Sequence, residues 1–263
     1  MTVRDWQKDF NKFDTFIKSI NLEKYKYLRK IKTVEQDLPK DLLPLDIFYK
    51  YYWDTTDFKD YEEIFQIYWD EKLKSIYSFI KKYFYGCSLQ FVEEGFKARL
   101  YRIWMSILTQ FYFQYLWNRL FDEKLISNPD LDRLGIDCVL ELKDLKIGFQ
   151  VEKISYRREA SSRKFTKRQQ KYIDILVEVP YIVIDREDLL KKIESKRVKE
   201  KNKKKYKELL NIYNSYFRQY DNGFIVFKDS YLKKLKEIVL SDKLEDIKKI
   251  TYQKILDRFN IKF

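Results

Sequence analysis

From Ile103 to Trp117 the chain carries fifteen consecutive uncharged residues, and the centre (97–121) of the helix read from Leu89 to Phe121 is apolar nearly all round. A helix with no polar face cannot lie on a surface; it must be enclosed on every side by other elements. The run falls short of the roughly twenty residues a membrane span needs, and Gln110 and Gln114 interrupt it. The enclosure must therefore be protein. At 263 residues the chain can bury such a helix, either as one large domain or as two modest ones. With 22 Tyr and 20 Phe against five Gly and four Pro, it reads as a helix-rich packed globule rather than a disordered chain or a small barrel.

Ahead of this helix, residues 2–30 have the spacing of one amphipathic helix, with Trp6, Phe10, Phe13, Phe16 and Ile17 in register. Pro39 and Pro44 break the chain, and helical spacing resumes over 47–53 and 61–84, closed by Gly86. Aromatics at helical period read as core rather than as a base-stacking platform. Behind it, Cys138–Leu142 and 147–154 read as two strands joined by a polar turn at Asp144. Residues 173–184 predict one or two buried strands interrupted at Pro180, Asp185 caps a helix from Arg186, and 223–227 forms a further strand. The last thirty-five residues read as amphipathic helices with Leu232, Leu235, Ile238 and Val239 in register. The fold class is α+β (α/β): a helical N-terminal half, residues 1–85, on a mixed β-sheet core, residues 86–263. No flexible linker separates them, so one continuous globule is expected.

Histidine is absent. That excludes Ser-His and Cys-His triads, HExxH zincins, nucleases with a His base, and zinc deaminases. Cys87 and Cys138 have no metal-ligand spacing and form no disulfide framework. Any chemistry falls to carboxylates, lysine, a metal and water. The net charge of +13 fits a polyanion partner, nucleic acid or an anionic membrane face. The N-terminal residues carry charge and no apolar core, unlike a signal peptide, so a soluble, cytoplasmic protein with no membrane partner is expected.

The candidate site lies in the two strands from Leu131 to Lys153. Asp137 stands at the mouth of the first. In the second, the two-residue period sets Phe149 and Val151 on one face and Gln150 and Glu152 on the other. Pairing the strands brings two carboxylates and an amide oxygen together, hard ligands suited to Mg²⁺ or Mn²⁺ rather than zinc. An Asp at a strand start is also an ordinary turn residue, and a strand Glu an ordinary solvated one. Glu93 and Glu94, one turn before Lys97, either add a carboxylate or answer the helix dipole, the second reading being the stronger. Residues 155–171 are dense in Lys and Arg, with Glu159 the only acid, and are placed to touch phosphates and base edges. The Lys-rich run 195–211 reads equally as a phosphate-contacting or a solvated helix.

Helix, acid-led hairpin, basic segment and further strand in this order resemble the PD-(D/E)xK nuclease core. IKTVEQDLP (31–39), FKARLYRIWMSILTQ (96–110), LDRLGID (131–137) and GFQVEK (148–153) are similar to the TaqI family of type II restriction endonucleases. LDRLGID is the most specific piece, because Asp132 and Asp137 match acids that the family uses at its active site. The resemblance implies Mg²⁺-dependent hydrolysis, Mn²⁺ substituting, of double-stranded DNA at a short palindrome, TCGA, leaving 5′ overhangs. It also implies a restriction-modification system with a cognate methyltransferase. The acid-x-Lys pattern is not kept: Gln150, Val151 and Glu152 align with it, and Lys153 comes one place late. Alternation points Lys153 away from the metal unless a bulge re-aims it.

On this reading Asp137 and Glu152 hold the metal, with the Gln150 side chain and the Val151 carbonyl as further ligands. Asp132 serves in the second shell or at a second metal, and Lys153 or Glu152 orients the attacking water. Arg157, Arg158, Arg163, Lys164, Lys167 and Arg168 are the expected DNA contacts, arginine being shaped for guanine N7 and O6. Two-fold DNA symmetry favours a homodimer. Two alternatives remain: a repair or structure-selective nuclease of the same fold, and a basic, non-catalytic DNA-binding protein.

Overall fold

The structure, a computed structural model, describes residues 4–31, 38–142, 145–153, 166–240 and 252–259. Most of the 31–39 motif, the turn at Asp144, and the expected DNA contacts Arg157, Arg158, Arg163 and Lys164 lie outside the described residues. Contacts divide the chain into two compact units, Asn11–Phe111 and Met1–Phe10 with Tyr112–Phe263.

The unit of residues 11–111 is helical. Helix α1, Trp6–Ser19, enters it at Asn11, burying Phe13 and Ile17 completely. The single helix expected over 2–30 instead breaks after Ser19, and Asn21 caps a 3₁₀ segment at Leu22–Arg29 by accepting from the Lys24 N–H. An Asn side chain that bonds to nearby backbone favours such a restart over continued α-helix. Helix α2, Leu45–Phe48, runs on as a π-helical turn, Tyr49–Asp54. Helix α3, Tyr61–Tyr83, opens with a capping box in which the Glu63 N–H donates to Asp60 (3.0 Å) and the Asp60 N–H to Glu63 (3.1 Å). The aromatics form core: Trp104 Nε1 donates to the Tyr52 hydroxyl (2.7 Å), which donates to the Lys59 carbonyl (2.6 Å). A buried polar aromatic needs such a partner, and these have one.

Helix α4, Leu89–Leu120, is buried without interruption from Ile107 to Asn118. In the second unit its last turns carry a mixed sheet of order β1-β2-β3-β4: β1 Leu125–Ile126, β2 Cys138–Leu142, β3 Leu145–Lys153 and β4 Ile175–Tyr181. A short helix α5, Pro129–Arg133, precedes β2. Strands β2 and β3 are antiparallel; β3 and β4 run parallel in continuous register from Ile147↔Ile175 to Lys153↔Tyr181. Phe149 packs on Phe113 (5.9 Å between ring centroids) and Trp117 (5.5 Å) of α4. On the opposite face Ile136, Val139 and Ile173 form a small core flanked by Leu131, Leu134 and Leu176.

Strand β4 does not stop at Pro180. It is an edge strand of the sheet, where a residue lacking an N–H is tolerated. Helices α6, Arg186–Glu194, and α7, Glu200–Tyr216, follow, then the hairpin of β5, Phe217–Gln219, and β6, Ile225–Phe227. Asp185 occupies the N-cap of α6, but its carboxylate accepts from Gln219 Nε2 (2.8 Å) rather than capping the helix. Helix α8, Asp229–Leu240, buries Leu232, Leu235, Ile238 and Val239 as its spacing requires, and α9, Tyr252–Arg258, closes the described chain.

Candidate active site

The LDRLGID stretch is a helix with a programmed stop. Asn128 caps α5 by accepting from the N–H groups of Asp130 (3.1 Å) and Leu131 (3.0 Å). The helix ends in a Schellman motif: the Ile136 N–H donates to the Leu131 carbonyl (3.0 Å) and the Gly135 N–H to the Asp132 carbonyl (2.8 Å). Gly135 takes φ +76°, which a residue with a Cβ adopts only under strain. Ile136 and Leu131 close the motif in one apolar cluster. The next residue is Asp137, so the sequence delivers this carboxylate from a fixed backbone.

Asp137 is held from four directions. Its N–H donates to the Phe149 carbonyl (2.9 Å). Its carbonyl accepts from Gln114 Nε2 (3.1 Å) and Ser127 Oγ (2.6 Å), and its Oδ2 accepts the Val151 N–H (2.7 Å). Asn118, one turn after Gln114, exchanges two bonds with Leu125 of β1, Nδ2 to its carbonyl (3.2 Å) and Oδ1 from its N–H (2.6 Å). The two amides on the buried helix α4 thus fix both the edge strand and the mouth of β2. Gln114 is fully buried. In the sequence it shows only as a polar interruption of an apolar helix.

The structure keeps the alternation of β3. Gly148 meets Ile136 and Ile173, whereas Phe149 meets α4, so Gln150 and Glu152 share the face of Gly148. Both are 9% exposed, as is Asp137. The Gln150 Oε1 is buried and has no hydrogen-bond partner among the described residues. A buried amide oxygen without a donor is costly, and such sites are where a ligand is to be sought. Among the described residues, however, no three acidic or thiol side chains gather closely enough to hold a metal ion by themselves.

Other candidates fall as follows. Val151 is half-buried and gives its N–H to Asp137. Lys153 is exposed at the end of β3; the unbroken register with β4 contains no bulge to re-aim it. Asp132, half-buried on α5, and Asp137 both act on Cys138, whose thiol is pushed well above its ordinary range by burial and then by these two negative charges. Lys167 and Arg168 are exposed in a turn just before Gln169. Gln169 ties that turn to the end of α5 by donating to the Leu134 carbonyl (3.0 Å) and accepting from the Thr166 N–H (2.9 Å). Glu93 and Glu94 both pair with Lys97, at 2.9 and 3.0 Å. Burial lowers the Lys97 pKa, but these two carboxylates outweigh it and raise the pKa overall.

The buried acid Glu178, on β4, was hidden from sequence reasoning inside an apolar strand. It lies in register with Gln150 on the neighbouring strand.

A family model for the TaqI restriction endonuclease matches residues 10–239. The chain is 39% identical over 240 residues to the type II restriction enzyme TthHB8I of Thermus thermophilus, covering 89% of each. It is 40% identical over 235 residues to the type II restriction enzyme TaqI of Thermus aquaticus, covering 87% of each. No solved structure matches the chain. No helix among the described residues is long and apolar enough to cross a membrane.

Proposed function

Because the chain belongs to the TaqI family of type II restriction endonucleases, we propose that it hydrolyses both strands of DNA at a short palindrome, TCGA, in a Mg²⁺-dependent reaction leaving 5′ overhangs. The observation that carries the chemistry is the face shared by Gln150 and Glu152, with Asp137 anchored beside it through the Val151 N–H. The mixed sheet with its acid-led β2-β3 hairpin supports reading the core as one of PD-(D/E)xK type.

The donor set fits a hard divalent cation: two carboxylates and an amide oxygen, with no imidazole or exposed thiol at hand. Asp137 and Glu152 would hold it, and the orphaned Gln150 oxygen and the Val151 carbonyl add neutral ligands. Such an ion supplies charge neutralisation at the scissile phosphate and lowers the pKa of a water. Of the two residues that could orient the attacking water, Glu152 shares the face of Gln150, while Lys153 alternates to the other, and this favours Glu152. Asp132, which acts with Asp137 on Cys138, adds negative charge to the rim. Lys167 and Arg168, held near the end of α5 by Gln169, would contact phosphate or guanine, with Arg157, Arg158, Arg163 and Lys164 extending that surface. A homodimer would place one such site on each strand of the palindrome. Protection of the host's own sites would fall to a cognate methyltransferase, and both enzymes would work in the cytoplasm.

The test is digestion of an unmethylated plasmid with Mg²⁺ or with EDTA, followed by end mapping on both strands. Discrete Mg²⁺-dependent fragments with 5′ overhangs at TCGA are expected. Fragments at another sequence would refute the specificity, and an intact plasmid at every cation concentration would refute the chemistry.

A further inference from the structure

The hairpin of helices α6 and α7 carries charges that its own helices do not call for. From Lys196 to Lys207 the chain has eight Lys and Arg against the single acid Glu200. Helices α3 and α6 place acids in the first turn and lysines in the last, as the helix dipole favours. Helix α7 does the reverse. Its lysines begin in the first turn, beside Glu200, and its last turn has no basic residue. Lys201 precedes Lys204 and Lys205 by three and four residues, and Lys207 follows Lys203 and Lys204 at the same spacings. Like charges so placed weaken a helix. Lys203 pairs with Glu200 (2.7 Å). Lys196, Arg197, Lys199, Lys201, Lys204 and Lys207 are exposed and form no ion pair among the described residues. A stretch that breaks local rules without a gain inside the fold points to a partner outside it.

The hairpin is rooted at the end of the sheet where Glu152 stands. Strands β3 and β4 finish together, Glu152 in register with Pro180 and Lys153 with Tyr181. Residues 182–185, spanning at most about 14 Å, then lead into α6. The start of α6 and the end of α7 are tied at this root. There Arg186 Nε donates to Asn214 Oδ1 (3.5 Å), and Gln219 Nε2 to Asp185 (2.8 Å). The basic stretch lies at the opposite end, one length of α6 away, or about 14 Å. Its reach from the end of β4 is thus up to about 28 Å. A four-base-pair palindrome occupies only about 14 Å of duplex, at about 3.4 Å per base pair.

The chemistry selects the partner. None of the large hydrophobic side chains exposed among the described residues lies between 186 and 216. An anionic membrane would find charge there but nothing apolar to bury. A run of ammonium groups without carboxylate partners matches a phosphate backbone.

We propose that the basic end of the α6–α7 hairpin is a second DNA-contacting surface, which grips backbone phosphates flanking the recognition sequence and adds affinity without reading bases. The proposal rests on the reading of the chain as an enzyme that cleaves DNA at a short palindrome.

The test compares wild type with a full-chain variant carrying Lys201→Gln, Lys204→Gln and Lys207→Gln. Gln is close to Lys in helix propensity, and melting confirms the fold. Binding in Ca²⁺ is followed by fluorescence anisotropy across a salt series. The two duplexes, of about 10 and about 40 base pairs, each bear one central TCGA, and the shorter ends about 10 Å beyond it. On the longer duplex the variant should bind at least about tenfold more weakly, with the slope of log affinity against log salt shallower by about two to three. On the shorter its affinity should stay within about twofold of wild type. Wild-type affinity and slope on the longer duplex would overturn the proposal and leave these lysines a solvated face. Equal losses on both duplexes would overturn the flanking placement. Variant-sensitive binding to phosphatidylserine vesicles, with no change on DNA, would assign the surface to lipid instead. Should α7 not tolerate three changes, Arg197→Gln with Lys199→Gln repeats the measurement ahead of the helix. The slope on the longer duplex should then fall by about two, and an unchanged slope overturns the proposal. A wild type that leaves plasmid intact yet loses long-duplex affinity in the variant would keep this surface and sink the cleavage reading.

Discussion

Gly148→Ala places a methyl group where the structure has no room. The added Cβ would stand 2.5 Å from Ile173 Cδ1, 3.1 Å from Ile136 Cγ2 and 3.2 Å from Ile173 Cγ2. The first contact could be relieved by rotating the end of Ile173, but that side chain is 2% exposed and Ile136 is fully buried, so neither has space to move into. Overpacking of this kind costs about 1–3 kcal/mol. Removing a glycine from a strand interior returns about 0.5–1 kcal/mol. The net is a destabilisation of about 1–2 kcal/mol, or a melting temperature lower by about 2–8 °C at this chain length. Ile173→Val deletes the atom at 2.5 Å. Alone it should cost about 0.5–1.5 kcal/mol for the lost methyl; in the Gly148→Ala background it should cost nothing or stabilise. The two γ-methyl contacts remain, so the rescue is partial. Urea unfolding followed by circular dichroism on the four proteins yields an interaction energy, expected on the order of 1 kcal/mol. A Gly148→Ala protein at least as stable as wild type would refute the reasoning, as would additive effects.

Two further outcomes can be checked. Native protein treated with an excess of iodoacetamide should be modified at exposed Cys87 and not at Cys138, which is buried and whose thiol is pushed up by burial and by Asp137 and Asp132; peptide mapping that finds Cys138 labelled before unfolding would contradict its placement. Lys167→Ala should weaken binding to all duplexes alike in the presence of Ca²⁺, with the slope of log affinity against log salt shallower by about one. An unchanged slope would remove Lys167 from the DNA contacts.

Local patterns carried much of the candidate site's geometry. The two-residue period of β3 set Gln150 and Glu152 against Phe149, and the strand is regular enough for that to hold. The all-round apolarity of α4 required enclosure, and its residues 107–118 are all buried. Long-range partners were not legible. Gln114 holds the Asp137 carbonyl from 23 residues away, and an amide in an apolar helix gives no sign of which backbone group it serves. Glu178 comes beside Gln150 only through the parallel register of β3 and β4, set across a crossover that no local pattern reveals. The break at Asn21 depends on a side chain competing for its own backbone, a balance too fine for periodicity to show.

The role proposed for the face carrying Asp137, Gln150 and Glu152 is phosphodiester cleavage. Single-turnover cleavage of a duplex bearing one TCGA site, measured for wild type and Asp137→Asn alongside duplex binding in Ca²⁺, tests it most directly. Cleavage slower by at least about a hundredfold, with the Asn variant still folded and binding the duplex, is the predicted result, since a group that acts only in the transition state is lost from rate rather than from binding. Wild-type cleavage by Asp137→Asn would place the chemistry elsewhere in the chain.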